Sequence, residues 1–181
     1  AFADRAVVVN PQNMSLPYWL LNFAEMVALF CSPEPGAREV EADILKRAVL
    51  AAKQAYGSHG ADGAGLTVDT PVPFRLSTAL EHIDRAMGEL NKPGDTLAYR
   101  RLTARIETLR ADTRFAFMFG GLAVQDTMAE ILAQLLRIPV GGKPVTVVDL
   151  SAVPMEIVDA TVSLLCRTIF DFAVWSREDE R

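Results

Sequence analysis

The chain has 181 residues, 50% of them hydrophobic, enough for one sizeable core and too few for two independent ones. Its charged fraction of 23% is ordinary, and a net charge of −5 argues against a general polyanion-binding surface while leaving room for a local basic strip. No apolar stretch reaches the roughly 20 residues that span a bilayer, and Ala1-Phe2-Ala3-Asp4-Arg5 is not a signal peptide, so the sequence reads as soluble.

In chain order, Ala6-Val7-Val8-Val9 predicts a buried-type strand. It comes almost at the first residue and without an initiator Met. The expectation is therefore a sheet whose other strands lie elsewhere, and a chain cut from the interior of a larger protein. Asn10-Pro11-Gln12-Asn13 is a turn, and residues 20–31 form a helix apolar on nearly all sides. Ser32-Pro33-Glu34-Pro35-Gly36 breaks it. A long amphipathic helix follows over about 37–56, with Val40, Ile44, Leu45 and Ala48 at helical spacing and Gly57 as its stop.

Residues 57–73 are a Gly-, Ser- and Pro-rich connection, most flexible over 59–65. Ser77 is the expected N-cap of a helix through Leu90; Glu81 lies one position too far for a capping box. Asp95 or Thr96 caps the next helix, to about Ala111. Three amphipathic helices joined by loops make a bundle. The run 115–119 alternates like a strand and ends in a glycine pair, and Asp126 or Thr127 opens a helix through Arg137. Val145-Thr146-Val147-Val148-Asp149-Leu150 reads as a central parallel strand, buried on both faces and without partners in the chain. A long helix over 154–175 completes half a crossover unit.

Cys31 and Cys166 sit in apolar helical runs, where a free thiol acts as a small hydrophobe, which fits a reducing cytoplasmic compartment. With His59 and His82 they lack the Cys-x-x-Cys or His-x-x-x-His spacing of a zinc site, and no metal is expected. Gly141-Gly142-Lys143 and Phe119-Gly120-Gly121 lack the Gly-x-x-x-x-Gly-Lys-Ser/Thr order of a phosphate loop and read as turns. Asp149, at the carboxyl end of a strand, is the best acidic candidate for catalysis; the alternative is that it caps the following turn through Ser151. Arg100, Arg101, Arg105, Arg110 and Arg114 concentrate charge along one helix, with Arg101 and Arg105 on one face as candidates for nucleic-acid contact. Glu107 and Asp112 interrupt the strip, which a solvated face or a subunit contact would also explain. Arg167 and Arg177 could reach a neighbouring subunit's nucleotide or form ordinary ion pairs.

Three segments together resemble one family. They are Leu16-Pro17-Tyr18-Trp19-Leu20-Leu21-Asn22-Phe23, then Thr67-Val68-Asp69-Thr70-Pro71-Val72-Pro73-Phe74-Arg75-Leu76, and the run from Ile138-Pro139-Val140 through the strand at 145–150 to Phe170-Asp171-Phe172-Ala173-Val174-Trp175-Ser176. The resemblance is to the HerA-like ATPases, hexameric RecA-fold DNA translocases with a helical bundle inserted in the motor core. It implies a mainly α chain: an entering core part over 1–20, the bundle over 21–112 and a returning core part over 113–181. It also implies that the P-loop and Walker B strand, with their ATP and Mg, fall outside these residues. The parent would be an ATP-driven translocase or helicase, a homo-hexamer on double-stranded DNA, with a partner nuclease in some relatives. Asp149 and Arg167 match positions in the core strand and helix. The competing expectation is a stand-alone helical interaction or regulatory module, in which the strand at 145–149 pairs within the chain.

Overall fold

A computed structural model of the protein describes residues 4–57, 65–89, 96–120 and 124–176. Strand β1 (Ala6–Val9) leads through a 3-10 turn (Tyr18–Leu20) into α1 (Phe23–Phe30), followed by α2 (Pro35–Gly57), α3 (Leu76–Gly88) and α4 (Leu97–Ala111). A 3-10 turn at Thr113–Phe115, the short α5 (Ala116–Phe119) and α6 (Met128–Leu136) then lead to β2 (Val145–Val148) and α7 (Met155–Trp175). The architecture is mainly α with a partial α/β core.

The two strands expected to lack partners pair with each other. They run parallel, Ala6 opposite Val145 and Val9 opposite Val148, and Asp149 N extends the ladder to Val9 O at 2.8 Å. Parallel neighbours need a crossover, and all the helices from α1 to α6 lie in it. β2 is not buried on both faces, however. Val9 and Val148 turn inward, while Val8, Val145 and Val147 are 50%, 43% and 43% exposed. Among the described residues no second layer covers that outer face.

The helices start where backbone donors find partners. Pro35 opens α2, where its missing N–H costs nothing. In α3 the first residue is Leu76, not the residue after Ser77. Arg75 sits at the cap position without a side-chain bond, and the Leu76 amide donates to the Tyr18 hydroxyl at 3.1 Å. A tertiary acceptor therefore replaces the expected serine cap, and Ser77 is exposed in the first turn. Thr96 makes no side-chain capping bond to α4, and Asp95 lies outside the described residues. Thr127 holds the cap position of α6 without a side-chain bond, and Asp126, one residue earlier, accepts from Met128 N at 3.1 Å. The run 115–119 is helical rather than extended: Phe117 and Met118 are both buried, and the Gly120 amide closes back on Ala116 O at 2.7 Å.

One apolar core runs through the molecule, from Trp19, Met26 and Phe30 through Leu45, Val49, Ile83, Leu102 and Ile106 to Ile131, Ile157 and Leu164. The ring of Tyr18 stacks on Phe119 at 5.6 Å and meets Phe74 edge-on at 5.3 Å. Such aromatic pairs add to what their buried area contributes. Residues 58–64, most of the stretch expected to be flexible, lie outside the described residues; residues 66–76 are fixed against α1 and α2.

Candidate functional site

The most elaborate polar constellation lies where α7 crosses the start of α1. Asn22 and Glu25 form a reciprocal capping box: Glu25 N donates to Asn22 Oδ1 and Asn22 N to Glu25 Oε2, both at 2.8 Å. Glu25 is 5% exposed, so its carboxylate needs further partners, and α7 supplies them. Ser163 Oγ donates to Oε1 at 2.8 Å, and Arg167 donates from Nε to Oε1 at 3.3 Å and from Nη2 to Oε2 at 2.9 Å. Four donors thus fill the four lone-pair positions of the carboxylate. Arg167 Nη2 also donates to Leu20 O at 2.7 Å, and its Nη1 lies 3.9 Å from Asp171.

This geometry is that of a clamp between α1 and α7. The Glu25 carboxylate is taken up by an ion pair and four hydrogen bonds, and the Ser163 hydroxyl is one of its donors. Arg167 would have to leave three bonds to reach a neighbouring nucleotide. Asp149 stands apart and exposed. Its Oδ1 accepts from Ser151 N at 2.9 Å, and hydrogen bonds from Ser151 lower its pKa from the ordinary carboxylate value.

Arg101 and Arg105 lie on the outer side of α4, but Arg105 Nε is drawn to Leu29 O at 3.3 Å. Arg114 is held by Asp112 at 2.6 Å. The strip is therefore split between solvent and the protein's own backbone. Arg177 and His59 lie outside the described residues. Cys166 faces outward on α7, against expectation, whereas Cys31 is buried and burial, with the Glu41 charge next, pushes its thiol up to about 11. Among the described residues no group of three or more His, Cys, Asp or Glu is placed to hold a metal ion.

The glycine turns do not fit a nucleotide. Arg137 ends α6 in the left-handed conformation at φ 57°, its Nε donates to Lys143 O at 2.9 Å, and Gly142 turns at φ 78° into a strand rather than a helix. Phosphate cradles aim successive amides from a helix start, and none begins here. Gly120 closes α5, and a Cβ there would collide with Ala116 O.

Against this geometry, the family model described as "Helicase HerA, central domain" matches residues 1–169. The chain belongs to the HerA central-domain family. A search of curated proteins gave no match. In this HerA domain no helix among the described residues is long and apolar enough to cross a membrane.

Two further buried charges in the HerA domain escaped the sequence reading, both on α2. Glu41, Leu45, Val49 and Lys53 follow one another by fours, each 1% exposed or less. Glu41 Oε2 accepts from Ser32 N at 2.6 Å, while Oε1 is buried and unpaired among the described residues. Lys53 Nζ donates to Val68 O and Thr70 O, both at 2.6 Å, and lies 5.7 Å from the centre of the Phe74 ring. Burial lowers its pKa to about 8, with the Asp69 charge opposing. The legible signals were the Asn22-x-x-Glu25 spacing and charges placed on the apolar stripe of α2.

Proposed function

We propose that this chain is part of an ATP-driven DNA translocase or helicase, contributing the helical bundle and a strand-helix portion of its motor core. In this reading residues 1–20 enter the core, 21–112 form the bundle and 113–181 return. What supports it is the family match over residues 1–169, whose description names a helicase. ATP and Mg would bind elsewhere in the parent, since the sequence holds no Gly-x-x-x-x-Gly-Lys-Ser/Thr. The parent would work in the cytoplasm as a homo-hexamer on double-stranded DNA, with a nuclease as one class of partner. Arg101, exposed on α4, would be one side chain to meet a phosphate; Arg167 and Asp149 would act by holding local structure.

α7 fits this reading. Its inner face buries Ile157, Thr161, Leu164, Leu165 and Thr168, yet Met155, Val162, Phe170 and Val174 on its outside are 84%, 42%, 67% and 43% exposed. A helix that shows so many large apolar side chains on its outer side suits a position between layers. The test compares ATP hydrolysis, with and without duplex DNA, by the parent polypeptide and by the 181-residue chain. The reading requires DNA-stimulated hydrolysis by the parent and none by the chain; turnover by the purified chain, or an inert parent, would overturn it.

A second reading has an observation of its own. β1 and β2 pair within the chain, as a self-contained interaction or regulatory module requires. That reading requires the chain alone to be monomeric and cooperatively folded, and the parent to lack hydrolysis.

A further inference from the structure

Residues 66–76 lead from α2 into α3 and pass the start of α1 on the way, and polar bonds anchor them to both α2 and α1. On the α2 side Lys53, 0% exposed, places its ammonium against the carbonyls of Val68 and Thr70. A buried ammonium needs such acceptors, and charge-assisted bonds of this kind are among the stronger ones. Between those two carbonyls the chain turns the Asp69 side chain the other way. Its Oδ1 accepts the first amide of α1, Phe23 N, at 2.7 Å. Two residues past Val72, Phe74 O accepts from the Tyr18 hydroxyl at 2.6 Å, and the same hydroxyl takes the first amide of α3. α1 is in turn joined to α7 through Glu25 and Arg167.

We propose that residues 66–76 form a coupling strap, through which Lys53 of α2 and Asp69 hold α2 and the α1–α7 pair together as one mechanical body. A displacement of α2 would then pass to the first turn of α1, and from there to α7, instead of being absorbed in the connection. The contiguous bonds supply the physical route, and the claim stands on whether its two ends respond to each other.

Hydrogen exchange of the 181-residue chain tests this, read on peptides covering residues 16–30, 66–76 and 97–111. Lys53→Met keeps the length of the side chain and removes its charge and donors. The expected result is about tenfold faster exchange in 66–76 and, together with it, in the first turn of α1, with α4 unchanged. Asp69→Ala attacks the exposed end and leaves the core intact. It should loosen the same two peptides, including the strap amides next to Lys53. Faster exchange confined to 66–76, or no change in either peptide, overturns the proposal. If Lys53→Met loosens all three peptides alike or fails to fold, the Asp69→Ala result decides by the same criterion.

Discussion

α2 and α7, of 23 and 21 residues, are the two long helices of the molecule, and they treat water in opposite ways. α2 buries one stripe, Glu41, Leu45, Val49 and Lys53, and shows solvent Glu39, Asp43, Lys46, Arg47 and Gln54, with Val40 as its one large exposed apolar side chain among the described residues. α7 buries a stripe of Ile157, Leu164 and Leu165 but shows solvent Met155, Val162, Ile169, Phe170, Val174 and Trp175 beside Glu156 and Asp159. The bundle around α2 therefore closes its own core. The layer around α7 and the sheet is closed on one side only, and its outer face carries large apolar side chains among a few charged ones.

The largest effects should separate inner from outer positions. Leu45→Ala on α2 and Leu164→Ala on α7 each remove a side chain no more than 1% exposed and should cost about 2–5 kcal/mol, read from urea unfolding. Equal costs would confirm that both helices share the core; a negligible cost at Leu164 would break the comparison.

Next comes the joint between α7 and α1. Arg167→Met leaves the Glu25 carboxylate buried without its cation and should cost about 3 kcal/mol. Glu25→Gln combined with it should cost clearly less than the two singles added, because neither variant then strands a charge. Strict additivity in that cycle would mean the clamp is not a unit.

Lys53 gives a pH signature that belongs to α2 alone. Its folded pKa is depressed to about 8 from an ordinary 10.5, so between those values the unfolded chain binds more protons than the folded one. Stability should therefore rise with pH across this window, the penalty being full below about 8 and gone above about 10.5, a gain on the order of 2–3 kcal/mol. Melting temperatures from pH 7.5 to 10.5 check this against Lys53→Met, in which the rise should vanish.

The smallest effect on stability is expected at the outer face of α7. Phe170→Ser with Trp175→Ser should change unfolding free energy by no more than about 0.5 kcal/mol each, since both are mostly exposed, while lowering the binding of an apolar dye. A large destabilisation would mean that this face is already covered in the isolated chain.

Much of this was legible beforehand. Periodicity located α2, α4, α6 and α7 to within a few residues, because a stripe of apolar residues every three to four positions has one inexpensive arrangement in water. It failed at 115–119, where five residues are too few to separate periods and buried neighbours Phe117 and Met118 set a helical turn. It failed also at Ser77, because the acceptor for the first α3 amide is a tyrosine 58 residues away. Among candidate residues, Asp149 and Arg167 were visible as charges at suggestive places; the Ser151 partner of Asp149 was legible as the alternative, and the Glu25 partner of Arg167 was not.

The sequence alone determined a mainly helical chain, strands of a parallel type, and a resemblance that the family match upheld, since these depend on local spacing and on segments compared one by one. Only the tertiary structure decided that β1 and β2 are each other's partners, that Glu25 and Arg167 meet across 142 residues, and that Lys53 points inward to two carbonyls. Each of these is a contact between distant parts of the chain, where a buried charge or an unpaired edge takes whatever complementary group the fold brings near, and no local pattern encodes that choice.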